Sequence, residues 1–229
     1  MITKRIANER GHFKLKWLDA RHGFSFGSYF DPNWMGFSKL RVVNEDIIAP
    51  NGGFDTHPHK NMEIISFIVE GELEHKDTLG NNSIIKSGQI QIMSAGSGIL
   101  HSEFNPSNSK NTHSLQIWVE PAIQNIKPRY EQFDFVEPQE DLVLLASPTG
   151  GASIAKIYQD AFVYFAHFKT QNFSKELEEE RKYWIQVIQG EAIINGVEVA
   201  PGDAVAIENE KTIEIKSCKN FKFLFFDLP

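Results

Sequence analysis

Beyond residue 60 the chain falls into short runs in which apolar side chains either alternate with polar ones or fill the run, the two patterns of half-buried and fully buried β-strands. Residues 62–69 are almost wholly apolar, 89–93 alternate about Ile90 and Ile92, and 115–119 alternate about Leu115, Ile117 and Val119. The pattern resumes at 161–168, 183–189, 192–194, 197–199, 204–207, 212–216 and 221–226. Many short strands at close spacing predict an all-β sandwich or barrel. Asn195-Gly196, between two of these runs, predicts a tight hairpin, because a type I′ turn needs positive φ at both central residues. Residues 174–182 have a helix-forming composition, but their acidic run reads as a solvated face or loop. The first fifty residues hold apolar stretches broken by Gly23, Gly27, Pro32 and Gly36. Residues 121–151 carry turn residues and charge without periodicity, which predicts a junction between two domains, 1–135 and 136–229.

A weak internal repeat supports a duplicated β-barrel module. F-I-V-E-G-E at 67–72 resembles Q-V-I-Q-G-E at 186–191, and K-S-G-Q-I at 86–90 resembles A-P-G-D-A at 200–204. Counted from the second glycine of each copy, His101 and Glu103 fall opposite Ile215 and Ser217, so only the first copy can carry that chemistry.

The chemistry concentrates in residues 51–105. His57 with His59, and His101 with Glu103, each stand two apart, a spacing that puts both side chains on one face of a strand. Two strands facing each other would supply three imidazoles and one carboxylate, a donor set suited to a divalent first-row metal with positions left open. Gly52, Gly53, Gly96 and Gly98 precede the two pairs and fit turns that aim the strands. His12 and His22 read as surface or loop histidines, and His75 and His113 as strand residues without a ligand role. Phe54, Met93, Phe104 and Trp118 are suited either to a pocket wall or to the core. Cys218 has no second cysteine to pair with and no histidine beside it. A net charge of −7 without a basic stripe argues against direct nucleic-acid binding. The absence of a membrane-length apolar run, or of a signal-like apolar core near the N-terminus, predicts a cytoplasmic protein away from membranes.

The motifs T-H-P-H-K-N-M-E, S-A-G-S-G-I-L-H-S-E and L-Q-I-W-V-E-P resemble those of the pirins, bicupins of the cupin superfamily, and in particular bacterial pirin-like quercetin 2,3-dioxygenases. The closing half, with Y-W-I-Q-V-I-Q-G and L-F-F-D-L-P, resembles their metal-free second cupin. The resemblance implies two cupin β-barrels packed face to face in a monomer. It also implies one divalent metal, iron(II) foremost with Mn, Ni, Cu, Co or Zn as alternatives, held by His57, His59, His101 and Glu103. General cupins take their carboxylate from the position of Glu63, so that residue competes with Glu103. The implied activity is cleavage of flavonols such as quercetin, or a similar planar phenol, by dioxygen with release of carbon monoxide, Glu103 accepting the substrate proton. The rival reading is a metal- or redox-responsive regulator that binds a transcription factor or an enzyme partner.

Overall fold

The computed structural model describes residues 1–138 and 140–229 and is all-β apart from one short 3₁₀ turn, Ala7–Glu9. In chain order the strands are β1 (Ile2–Arg5), β2 (Gly11–Lys14), β3 (Leu18–His22), β4 (Leu40–Ile48), β5 (Gly53–His59), β6 (Glu63–Glu70) and β7 (Glu72–Asp77). They continue with β8 (Asn82–Lys86), β9 (Gln89–Ser94), β10 (Ile99–Phe104), β11 (Thr112–Val119), β12 (Arg129–Asp134), β13 (Asp141–Ser147) and β14 (Ala155–Lys156). The last are β15 (Phe162–Phe168), β16 (Phe173–Glu176), β17 (Lys182–Ile194), β18 (Val197–Val199), β19 (Ala204–Ile207) and β20 (Thr212–Leu228).

The chain divides into two compact units, and the division is not a single cut after residue 135. One unit comprises Gly11–Phe135 and Pro148–Gln159, the other Met1–Arg10, Val136–Ser147 and Asp160–Pro229. The N-terminal segment belongs to the latter because β1 pairs antiparallel with β19, from Ile2 opposite Ile207 to Arg5 opposite Ala204. The buried Asp203 carboxylate then accepts from the Ala7 N–H at 2.8 Å and pairs with Lys4 at 2.8 Å.

The first of these units contains two antiparallel sheets, a seven-stranded one in the order β12-β9-β6-β11-β4-β3-β2 and a four-stranded one in the order β5-β10-β7-β8. The core strands of the larger sheet are shut off from water on both faces, which explains the apolar run at 63–70, where six consecutive residues of β6 are buried. In the other unit the sheet runs β1-β19-β17-β20-β15-β13, with β18 on β17 and β16 on β20. Its interior is filled by Phe168, Phe221, Phe223, Ile213 and Ile215 among others.

Several expectations change. Residues 121–151 are more than a junction: β12 lies there and pairs with β9, and β13 pairs with β15. Every residue of β12 is partly or fully exposed, so no apolar alternation marks it, and its place is fixed by register instead. Gln139, in the same stretch, lies outside the described residues. The runs at 183–189 and 192–194 merge into β17, and those at 212–216 and 221–226 into β20, with register shifts absorbed by positive φ at Gly190, Ser217 and Asn220. The start of the run at 174–182, read as a solvated face or loop, belongs to a short strand, β16. Asn195 and Gly196 have φ of 44° and 84°, as their hairpin requires.

The repeat has a backbone basis. Gly71 and Gly190 have φ of 82° and 77°, and Gly88 and Gly202 have 85° and 82°. A Cβ on Gly71 would lie 2.7 Å from the Asn111 carbonyl oxygen, and one on Gly190 would strike the carbonyls of Lys219 and Asn220, whereas Gly88 faces open space. Gly71→Ala and Gly190→Ala should therefore each cost about 1–3 kcal/mol, and Gly88→Ala only the smaller φ strain. Thermal unfolding of the three variants checks this order; an equal or larger loss in Gly88→Ala would refute it.

Candidate metal centre and its cavity

The two ligand pairs sit on adjacent strands of the four-stranded sheet, not on strands facing across a barrel. β5 and β10 run antiparallel with His101 opposite His57 and Ile99 opposite His59. A bulge between His101 and Glu103 shifts Glu103 to face Phe54, while on its other side β10 places Glu103 opposite His75 of β7. Gly53 permits this close pairing, because a Cβ there would strike the Glu103 carbonyl oxygen and the Phe104 ring. The turn before β10 uses Gly96 and Gly98, with φ of 46° and 137°.

His57, His59 and His101 offer ring nitrogens that all lie within 4.8 Å of one another, and His75, His101 and Glu103 form a second such group sharing His101. The hydrogen bonds set the tautomers. His57 Nδ1 is 2.7 Å from the Asp55 carbonyl oxygen and must carry the proton there, which in the neutral ring leaves a lone pair at Nε2. His75 Nε2 donates to Asp77 Oδ2 at 2.9 Å, leaving its Nδ1 to accept from His101 Nδ1, 3.5 Å away. In that tautomer His101 Nε2 also presents a lone pair, and it stands 3.0 Å from His57 Nε2. The Nε2 of His59 is buried with no hydrogen-bond partner among the described residues. Two lone pairs so placed repel unless a cation lies between them, and the unpartnered His59 Nε2 belongs to the same group, so the donor set fits a divalent metal.

Protonation does not relieve that repulsion. Burial, reinforced by His101 and His57, lowers the pKa of His59 to about 3, and burial, with His57 and His75, lowers that of His101 to about 3. Both rings are therefore neutral at physiological pH. For Asp77, burial pushes the carboxyl up, but hydrogen bonds from His75 and Asn81 outweigh it and hold its pKa below the usual value.

Glu103, 1% exposed, is held by a transverse row of polar side chains on the larger sheet. Ser66 donates to its Oε1 at 3.2 Å and Gln116 to its Oε2 at 2.7 Å. Gln91 in turn donates to Ser66 at 3.1 Å, and the Trp118 indole donates to the Gln116 carbonyl at 3.1 Å. Register explains the row: Gln91 is opposite Ser66, Ser66 opposite Gln116, Gln116 opposite Asn44, and Asn44 opposite His22. Glu63 belongs to neither ligand group; it accepts from the Ser94 hydroxyl at 2.7 Å and the Tyr158 N–H at 3.3 Å. Burial raises its pKa, and those donors partly offset the rise.

Beside His57, His59 and Glu103 opens a cavity of about 320 Å³. Part of its wall is aromatic, with Phe26 edge-on to Trp118 at 5.4 Å and Trp118 edge-on to His59 at 4.9 Å. Phe54 also lines it, whereas Met93 is fully buried in a core cluster with Ile64 and Ile99. His22, expected on a surface or loop, is buried on β3 and lines the cavity. Sequence reading passed over Ser66, Gln91 and Gln116, and read His75 as a strand residue without a ligand role; the signal available for Ser66 and Gln116 was a polar residue inside an otherwise apolar strand, as in I-I-S-F-I-V and S-L-Q-I-W. His113 is bonded to Glu45 at 2.9 Å, and Cys218 is buried among apolar side chains.

The Pirin family profile matches residues 3–119, and that of the quercetinase C-terminal cupin domain matches residues 144–228. The chain belongs to the pirin family. It is 46% identical to a quercetin 2,3-dioxygenase of Escherichia coli strain K12 over 100% of this chain and 99% of that one. The crystal structure of the Escherichia coli pirin YhhW superimposes with a TM-score of 0.97 at 45% identity, covering 100% of this chain and 98% of that one. A nickel(II) complex of the same bacterial pirin gives a TM-score of 0.95 at 45% identity, with 100% and 99% covered. This pirin is thus an all-β bicupin, and among its described residues no helix is long and apolar enough to cross a membrane.

One cavity group makes stability depend on pH. Burial, then the charges of Glu103 and Glu45, raise the pKa of Asp46 from 3.8 to about 7. The folded metal-free protein holds that proton while the unfolded chain releases it above about pH 4, so stability is full below that point and falls as pH rises toward 7. Asp46→Asn removes the ionisation. In metal-free protein it should raise the melting temperature above pH 7 but not below pH 4, by about 2–4 °C for each kcal/mol relieved. A gain independent of pH would contradict the assignment.

Proposed function

We propose that this protein binds one divalent transition metal, iron(II) in its working form, through His57, His59, His101 and Glu103, and cleaves a flavonol such as quercetin with dioxygen and release of carbon monoxide. The observation that carries the reading is the convergence of ring nitrogens of His57, His59 and His101, with His59 Nε2 buried and unpartnered among the described residues, beside a buried carboxylate at the edge of an apolar cavity. The quercetin dioxygenase name of the Escherichia coli relative supports the substrate class. Nickel outranks iron in intrinsic affinity for nitrogen and oxygen donors, so the nickel(II) complex of the related pirin supports the donor set and leaves iron as the choice of availability.

When bound, the metal supplies a Lewis acid for the substrate's 3-oxygen and a centre for dioxygen activation. The protein's side chains do the rest. Glu103 takes the 3-hydroxyl proton at whichever carboxylate oxygen turns from its donor, Ser66 or Gln116, toward the substrate. The Asp77–His75 pair keeps the His101 proton on Nδ1, so that Nε2 stays a ligand atom. Trp118, Phe26 and Phe54 grip the flat rings and exclude water. The position of Glu63, turned to Ser94 and the Tyr158 N–H, favours Glu103 as the ligand carboxylate.

Three measurements test this. Reconstituted protein should hold one ion per chain, and His101→Ala should weaken binding by at least about 100-fold with the β-sheet circular dichroism unchanged. Loaded protein should consume quercetin and oxygen and release carbon monoxide; saturated protein that turns over no flavonol would refute the activity while leaving the metal site. Glu103→Gln should change the metal's electronic spectrum and nearly abolish turnover, whereas Glu63→Gln should keep the spectrum and lose activity by about 10-fold at most. The reverse order would give the ligand role to Glu63.

A further inference from the structure

The cavity has a second polar point away from the three histidines. Asn44 and Asp46 stand two apart on β4, share one face of that strand, and both line the cavity. They are 3% and 5% exposed. Asn44 Oδ1 is buried with no hydrogen-bond partner among the described residues. A buried carbonyl left unpaired costs about 1–3 kcal/mol, and in a cavity wall that cost is recovered only when a ligand brings the donor. Gln116, the residue opposite Asn44, turns its amide to Glu103, and Asn44 Oδ1 receives no bond from it.

We infer that Asn44 and Asp46 form a hydroxyl-recognition site, which selects planar phenols carrying hydroxyl groups on a ring remote from the oxygen that meets the histidines. The placement follows from the sheet. Glu103 is gripped by β6 and β11, and β4 lies one strand farther out, about 4.8 Å along the sheet. A ligand with its reacting oxygen beside Glu103 extends its far ring over β4, between the aromatic wall and these two polar side chains. A site built to bond a hydroxyl rejects the analogue that lacks it, because its own polar groups are then left unpaired.

This inference rests on the flavonol reading, and the test separates the two. Dissociation constants of the metal-loaded protein are measured by calorimetry for quercetin, which bears ring hydroxyls, and for 3-hydroxyflavone, which keeps only the reacting one. Wild-type protein should prefer quercetin by at least about 10-fold. Asn44→Ala and Asp46→Asn should each cut that ratio to under about 3-fold. Metal content and near-ultraviolet circular dichroism identify a variant that fails to fold, and Asp46→Asn, which keeps the side-chain shape, provides the second route. An unchanged ratio in both variants, or an equal loss of affinity for both ligands, would overturn the hydroxyl site alone. Wild-type protein that binds neither compound would overturn the flavonol reading along with it.

Discussion

A carboxylate taken out of water must be given donors, because an uncompensated buried charge costs several kcal/mol. Glu103 imposes that requirement on this molecule, and the larger sheet of its unit is arranged around meeting it. The row Gln91, Ser66, Gln116 and Asn44 crosses four neighbouring strands of the larger sheet. Slipping β6 or β11 by one residue would turn Ser66 or Gln116 to the opposite face and take from the carboxylate one of its two side-chain donors. Strand register and the electrostatics of the site are therefore one constraint.

The histidines impose the opposite requirement. Their lone pairs must stay free, so burial keeps His59 and His101 neutral while backbone and carboxylate partners occupy the ring nitrogens that do not converge. The same dry surroundings that deny these rings a proton strengthen whatever cation they hold. The other unit, built on a similar strand plan, has Ile215 and Ser217 in the corresponding positions and packs phenylalanines into its interior. One copy of the plan leaves room for chemistry, and the other closes its core.

Strand class and the residues that converge were legible in the sequence because both depend on local periodicity. The i, i+2 pairs at 57/59 and 101/103 needed only strand geometry, and the glycines of the repeat marked positive φ in both copies. What sequence did not reveal depends on which strand lies beside which. His75 gains its place behind His101 only through the pairing of β7 with β10, and Asn44 joins the polar row only because β4 abuts β11. Likewise β12 has no apolar face to announce it, and its existence follows from the edge that β9 offers. Glu63 and Glu103 stand equally well on strand parity, and the backbone bulge after His101, invisible in the sequence, moves one of them relative to the ring cluster.

The pairing of Ile2 with Ile207 also bears on synthesis. A chain made from its N-terminus has residues 11–159, the whole of the histidine-bearing unit, in hand while β17, β19 and β20 are still unmade. The opening strand must remain unpaired through all of that interval, a free edge in a nascent polypeptide, until β19 emerges to receive it. Its sequence, I-T-K-R, is short and ends in two cations, a composition that discourages adhesion to other unpaired strands during the wait. Loop-closure entropy rises only logarithmically with length, so the delay adds little to the equilibrium cost of joining the two ends. The order in which the two units mature is thereby written into the topology: the histidine-bearing unit can form first, and the other is completed only when the last strands reach back for the first.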